Sequence, residues 1–332
     1  MKATKLSALL LAGVLGLAAC SSSGSSDTKA SDSSGSTAAG ADSAAGGDLK
    51  IAMVTHGDGG SFWSVAKKGA EDAAKSMGVD LDYQESNNDP QKQAQLIEAA
   101  VSAGVKGIAV SAPNPDAIKD ALGKAKAANI PIITLNSGST VYKDLGALTH
   151  VGQDEEIAGE GAGDQFKAAG AKKLLCVIHE QNNVGLQARC AGAKKTFGDV
   201  TDFQVTGTAD PTKTANEIAA KLQADSSIDA VLALNPDIAM AAVEAMGTAG
   251  SSAKLATFDL SGDVVKSIKD GKILFAIDQQ QYLQGYLPVV MLALYDRNAN
   301  TVGGGQPVLT GPGFVTKDNA DKVEKLAEAG TR

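Results

Sequence analysis

Aromatic side chains are scarce in this sequence: seven Phe, five Tyr and a single Trp make up 4% of 332 residues. A core must therefore be assembled mainly from Ala, Val, Ile and Leu, and any place where aromatics cluster stands out. Three cysteines are too few for a disulfide scaffold. Basic charge is in deficit, with 30 Lys and Arg against 38 Asp and Glu. That balance, without a dense Lys/Arg stripe, repels phosphate and argues against a nucleic-acid partner. The three histidines, His56, His150 and His179, are widely spaced, and the lone Cys176-x-x-His179 lacks a second ligand pair, so no metal site is expected. The phosphate-loop signature, the serine nucleophile elbow and the dinucleotide glycine fingerprint are all missing, and no Ser or Cys stands beside a candidate base. Gly57-Asp58-Gly59-Gly60 is glycine-rich but carries an acid where a phosphate would lie. No enzyme and no cofactor are expected.

Long hydrophobic runs are also lacking, with one exception at the start of the chain. Lys2 and Lys5 precede an apolar stretch from Leu6 to Ala19 that ends in Leu17-Ala18-Ala19-Cys20. The stretch falls short of the roughly 20 residues that span a bilayer, so residues 1–19 read as a signal peptide. Leu-Ala-Ala-Cys resembles the bacterial lipoprotein lipobox, which implies lipidation at Cys20 and an extracytoplasmic, membrane-anchored protein. Ser21 to Gly47 holds ten Ser, six Ala and five Gly. Such a segment buries too little apolar surface to fold, so residues 20–47 read as a lipidated Cys followed by a flexible linker. Cys176 and Cys190 are the two cysteines of the remaining chain, and outside the cytoplasm they are expected to form a disulfide.

From Asp48 onward, short β-branched runs alternate with Ala-rich amphipathic segments, the pattern of an α/β protein with parallel sheets. Strands are expected at 49–55, 79–83, 107–111 and 130–135, and again at 173–178, 203–206, 230–234 and 254–258. The two sets repeat at an offset of about 121 to 123 residues: Asn114-Pro115-Asp116 answers Asn235-Pro236-Asp237, and Ile130 to Asn136 answers Lys254 to Asp259. Two similar doubly wound lobes follow. After a strand at 273–277 come a helix at 283–296, the Gly303-Gly304-Gly305 turn, a short strand at 307–309 and a charged helix at 318–328. These surplus elements are expected to be shared between lobes, giving a multi-crossover hinge. The boundaries are 48–152 plus 280–308 for the N-terminal lobe and 153–279 plus 309–332 for the C-terminal lobe.

In such sheets ligands sit at the carboxyl ends of strands. Polar residues cluster there: His56, Ser111 and Asn136 in the first lobe, and Arg189, Asn235, Asp259 and Gln279 in the second, with Phe62-Trp63 opening a helix. Amides, a guanidinium and a carboxylate match vicinal hydroxyls, and a flat ring covers the apolar face of a sugar. At these residues, and at Val151-Gly152-Gln153-Asp154, Arg189-Cys190-Ala191-Gly192 and Asp278-Gln279-Gln280, the chain resembles the type I periplasmic binding proteins of sugar transporters, the ribose-binding-protein-like group. The resemblance implies aromatic walls at Phe62 and Trp63. It also implies polar contacts at His56, Ser111, Asn136, Arg189, Asn235, Asp259 and Gln279, and an inter-lobe position at Gln153. It implies a monomer that carries a small neutral sugar or polyol to an ABC permease with its ATPase. A sugar or autoinducer receptor that feeds a signalling protein is the alternative at this stage. Asn136 stands where the ribose-type pattern has Asp, which leaves pentoses, hexoses, inositols and linear polyols open. Residues 179–183 match no part of the pattern.

Overall fold

The structure, a computed structural model, describes residues 49–332. The expected signal peptide, Cys20 and the linker lie outside the described residues. The first half of the chain runs β1 (Lys50–Thr55), α1 (Ser61–Met77), β2 (Asp80–Glu85), α2 (Pro90–Ser102), β3 (Gly107–Ser111), α3 (Pro115–Ala127), β4 (Ile132–Leu135) and β5 (Thr149–Gly152). It then continues with α4 (Glu155–Ala168), β6 (Leu174–Ile178), α5 (Val184–Phe197), β7 (Val200–Gln204), α6 (Pro211–Ala224), β8 (Ala230–Ala233), α7 (Pro236–Ala249), β9 (Lys254–Phe258), α8 (Gly262–Lys269) and β10 (Phe275–Asp278). The chain closes with α9 (Gln281–Asn298), β11 (Val308–Leu309), β12 (Gly313–Thr316) and α10 (Glu324–Glu328).

Two six-stranded sheets result, ordered β11-β5-β4-β3-β1-β2 and β12-β10-β9-β8-β6-β7. Strands β1, β3, β4, β6, β8 and β9 are apolar along nearly their whole length, as strands covered on both faces must be. Helices begin where the sequence supplies caps. Asp89, Asp210 and Asn235 each accept backbone N–H bonds at the head of a helix whose first residue is Pro, which needs no partner for a missing N–H. The chain passes between sheets three times: after β5, after β10, and between Leu309 and Gly313, one residue later than the sequence boundary.

Three expectations need correction. The edge strand β7 lies at 200–204 rather than 203–206, because its register is set by pairing Val200 with Leu174. Strands β5 and β12 are not marked in the sequence, because Thr149-His150 and Gly313 break the apolar pattern. The charged helix expected at 318–328 is split into a 3-10 turn at Ala320–Lys322 and the short α10. Asn319 keeps the helix from starting at 318: its side chain accepts from Thr316 N–H (2.8 Å) and donates to the Phe314 carbonyl (2.9 Å), holding the backbone there in a turn. The expected pair Cys176 and Cys190 is joined as a disulfide that ties α5 to β6.

Helix α5 packs on α4 in the second lobe as α1 packs on α9 in the first, with glycines at both crossings. A Cβ on Gly159 would run into the Arg189 carbonyl, and one on Gly192 into that of Glu156. Gly159→Ala should therefore cost about 3 kcal/mol, the upper range for overpacking, whereas Gly123→Ala, on the open face of α3, should stabilise by about 0.5–1 kcal/mol. Chemical denaturation of the two variants checks both signs.

Candidate functional site

The polar residues that follow the strands converge on one cavity between the sheets. Its wall includes eight of the ten residues expected from sequence: His56 after β1, Phe62 and Trp63 in the first turn of α1, Asn136 after β4, Arg189 in α5, Asn235 after β8, Asp259 after β9 and Gln279 after β10. The lobes contribute matching positions. His56 and His179, and Asn136 and Asp259, are each 123 residues apart and follow corresponding strands.

Ser111 and Gln153 stand behind the wall rather than on it. Ser111 is fully buried; its hydroxyl accepts from the His56 backbone N–H (2.9 Å) and lies 2.7 Å from His56 Nδ1, so it orients the imidazole. Gln153 donates from Nε2 to Glu155 Oε2 (2.8 Å). A position at a strand end is legible in sequence, but the layer in which the side chain ends is not.

Arg189 is the most constrained side chain of the site. Its Nε and Nη2 donate to the two oxygens of Glu155 (2.6 and 3.1 Å), Nη1 donates to the Leu234 carbonyl (2.9 Å), and the guanidinium lies 4.3 Å from the centre of the Phe258 ring. Three of its five N–H groups are thus engaged, leaving two for other acceptors. Burial pushes Asp259 up to about 7, against the pull of Arg189 and of Gln279 Nε2, which donates to Oδ1 at 2.7 Å. Trp63 meets Phe62 and His56 edge-on, with ring centres 4.9 and 4.8 Å away. His150, by contrast, is buried inside β5, where loss of solvent lowers its pKa to about 4, and it takes no part in the site.

Several wall residues were not anticipated: Asp58, Ser137, His179, Glu180, Asn183, Leu186 and Asp237. The 123-residue offset could have found His179. Asp237 stood in view within Asn-Pro-Asp, and its role is to clasp the lobes. Gly60, the residue before α1, has no side chain to cap the helix; Asp237 of the other lobe accepts from Ser61 N–H (3.1 Å) and from Ser61 Oγ (2.6 Å) instead. Asp58 and Thr208 form a second bond across the cleft. A crevice of about 970 Å³ adjoins this clasp, lined by residues of both lobes that include Asn87, Asn88, Asn114, Glu180 and Asn182.

Two lobes that enclose a polar cavity between strand ends, clasped across its mouth and linked by three crossings, define a solute-binding protein. The chain belongs to the periplasmic binding protein domain family, whose model matches residues 51–298. Among its relatives, the ribose import binding protein RbsB of Haemophilus influenzae is 29% identical over 293 residues, covering 86% of this chain and 91% of that one. The xylitol-binding protein of Mycolicibacterium smegmatis is 25% identical over 333 residues, 96% of this chain and 87% of its own. A carbohydrate transporter protein from Acidothermus cellulolyticus, crystallised in complex with myo-inositol, superposes with a TM-score of 0.84 at 46% identity, covering 86% of this chain and 99% of that one. These relatives bind sugars and polyols, and the family implies an extracytoplasmic location.

The raised pKa of Asp259 has a consequence for stability with a definite sign. The native state holds this proton up to about pH 7, while the unfolded chain releases it near 3.8, so the group's contribution to stability falls as pH rises between those values. Asp259→Asn removes that loss. Relative to wild type, its stability should climb from pH 4 to 7 by up to about 4 kcal/mol and then level off, as measured by denaturation at several pH values.

Proposed function

We propose that this protein is the solute-binding component of an ABC importer, that it is a non-catalytic monomer held to a membrane by lipidated Cys20, and that its ligand is a neutral cyclic polyol of the myo-inositol type. The observation that carries the reading is the cavity itself. Trp63, Asn136, Arg189, Asp259 and Gln279 face one space of about 30 Å³ from two lobes, so these walls must part to admit a ring and then touch it from both sides. The likeness to a 46%-identical protein crystallised with myo-inositol supports the ligand class.

Charge narrows the class further. Arg189 is neutralised by Glu155, while Asp58, Glu180, Asp237 and Asp259 also face the cavity. An anionic ligand such as a sugar phosphate or a sugar acid is repelled; hydroxyls, which donate as well as accept, are matched. Trp63 and Phe62 cover the C–H face of the ring. His56 and Asn136 from one side, and Arg189, Asn235, Asp259 and Gln279 from the other, hold the hydroxyls, while Ser111 and Gln153 brace the first row. The lobes, moving about the three crossings, then deliver the ligand to the permease.

Trp63 is the only Trp, so its fluorescence reports entry of the ligand. Titration with myo-inositol, ribose, arabinose, glucose and xylitol should give a dissociation constant on the order of micromolar, about −8 kcal/mol, for myo-inositol and weaker binding for the others. Tighter binding of ribose or xylitol would overturn the ligand assignment. The affinity should also rise as pH passes upward through about 7, because ionised Asp259 accepts hydroxyls that the protonated acid does not. Calorimetry near pH 6.5 in buffers of different ionisation enthalpy should then detect a proton released on binding.

A further inference from the structure

We propose that Glu180 reads the ligand: its carboxylate accepts a hydroxyl of the bound polyol, supplying from the second lobe the ionised acceptor that Asn136 does not supply from the first. This rests on the neutral-polyol reading above. Glu180 follows His179 in the loop between β6 and α5, lines the cavity beside Asn136 and Arg189, and has a side chain only 13% exposed. Its neighbours come from both lobes. Asn183 Nδ2 donates to Oε2 at 2.6 Å, and the Asn88 amide, turned so that its nitrogen faces the acid, donates to Oε1 at 3.1 Å.

Two histidine nitrogens approach without closing hydrogen bonds, His56 Nε2 at 3.6 Å from Oε2 and His179 Nε2 at 3.9 Å from Oε1. His179 brings no positive charge. Asn235 Oδ1 is engaged by the Ile238 N–H, so Asn235 Nδ2 is the group that meets His179 Nε2 at 3.1 Å. Nε2 is therefore the acceptor and the imidazole proton sits on Nδ1. No Lys or Arg pairs with Glu180 among the described residues, since Arg189 is committed to Glu155.

A carboxylate has about four acceptor directions, and two here are taken by amides. Burial would raise the pKa of Glu180, but His56 and the Asn183 donor hold it below the usual carboxylate range, so the group is ionised where Asp259 is still titrating. Glu180 is an ionised, largely buried carboxylate whose nearest ion-pair partner, His56, stands at 3.6 Å, so acceptor directions stay open, and at this place on the cavity wall the ligand's hydroxyls supply the donors. A site built this way rejects an analogue that lacks the hydroxyl, because the acceptor is then left unpaired. Glu180 thereby selects among polyols of equal size.

The test is a calorimetric cycle with myo-inositol and its mono-deoxy analogues against wild type, Glu180→Gln and Glu180→Asp. Glu180→Gln should weaken myo-inositol about 10- to 100-fold, the range of a charge-assisted hydrogen bond. One mono-deoxy analogue should lose a similar factor against wild type and little further against Glu180→Gln. Glu180→Asp, which keeps the charge but withdraws it, should couple to that same hydroxyl, and this variant decides the matter if the amide variant folds poorly. Binding to Glu180→Gln within threefold of wild type, or equal losses for every analogue in both proteins, refutes the proposal. If wild type ignores myo-inositol but binds another member of the sugar panel, only the ligand assignment fails, and the same cycle with that sugar's deoxy forms still decides the role of Glu180. If it binds none of them, both readings fall.

Discussion

One constraint governs this molecule: of the twelve strands among the described residues, only β12 runs against its neighbour. In each sheet the other strands point the same way, so their carboxyl ends share an edge, and it is there that the chain must leave the sheet. Asn136 and Asp259 show how the exit is used. Each is the first residue after its strand, each donates its backbone N–H to the adjacent strand, to Val151 O at 3.0 Å and Ile277 O at 2.8 Å, and each has a positive φ, 60° and 69°. Asn and Asp tolerate that conformation better than other side chains except Gly, so the turn chemistry and the chemistry of recognition ask for the same residue types. A single structural solution, used once in each lobe, delivers two polar groups to one cavity.

The electrostatics of that cavity depend on a division of labour among its charges. The Arg189–Glu155 pair neutralises both charges within the second lobe, where Gln153 also donates to Glu155 and the Leu234 carbonyl accepts from Arg189. A buried pair of this kind is not strong evidence of stability, since removing either partner strands the other. Its value lies in fixing a guanidinium with two unspent donors on the wall. Helix packing serves the same end, because the Arg189 carbonyl rests where Gly159 lacks a side chain, and Cys190, the next residue, is bonded to β6. The carboxylates divide as well: Asp58 and Asp237 clasp the lobes, while Asp259 and Glu180 remain on the wall.

Much of this was visible in the sequence. The apolar runs and the internal repeat, with its recurring Asn-Pro-Asp, gave the two lobes; strand-end positions gave five wall residues, and Phe62, Trp63 and Arg189 came from helices. What escaped notice did so for physical reasons. Strands β5 and β12 decide which sheet each crossing joins, but Thr149-His150 and Gly313 hide them, since their strand character comes from pairing and not from their own apolarity. Ser111 and Gln153 were placed at the right strand ends but in the wrong layer, which depends on what His56 and Glu155 need behind them. Glu180 and Asn183 lie in a loop without periodicity, and besides each other they find partners on the opposite lobe, Asn88 for Glu180 and Ser137 for Asn183.

Closure ties these parts together. The bonds of the clasp, Ser61 with Asp237 and Asp58 with Thr208, are each of the kind that contributes about 0.5–1.5 kcal/mol net, or somewhat more because an acid is involved. Further bonds join the lobes beside them: Val184 N–H donates to the Pro113 carbonyl at 3.0 Å and Ser137 Oγ to Asn183 Oδ1 at 3.1 Å. A ligand shifts an equilibrium between open and closed lobes only by its differential affinity for the closed form, so the contacts that count are those that need both lobes at once. The same groups reach the hinge: Gln279 donates to Asp259 at 2.7 Å, Gln284 donates to Gln279 Oε1 at 2.8 Å and approaches Thr310 Oγ1 at 3.1 Å, and Gln280 donates to the Thr310 carbonyl at 2.6 Å. These bonds connect the second and third crossings to a carboxylate on the wall. A ligand group that competes for Asp259 Oδ1 therefore competes with Gln279, whose own amide oxygen is held by Gln284 of the helix that follows the second crossing.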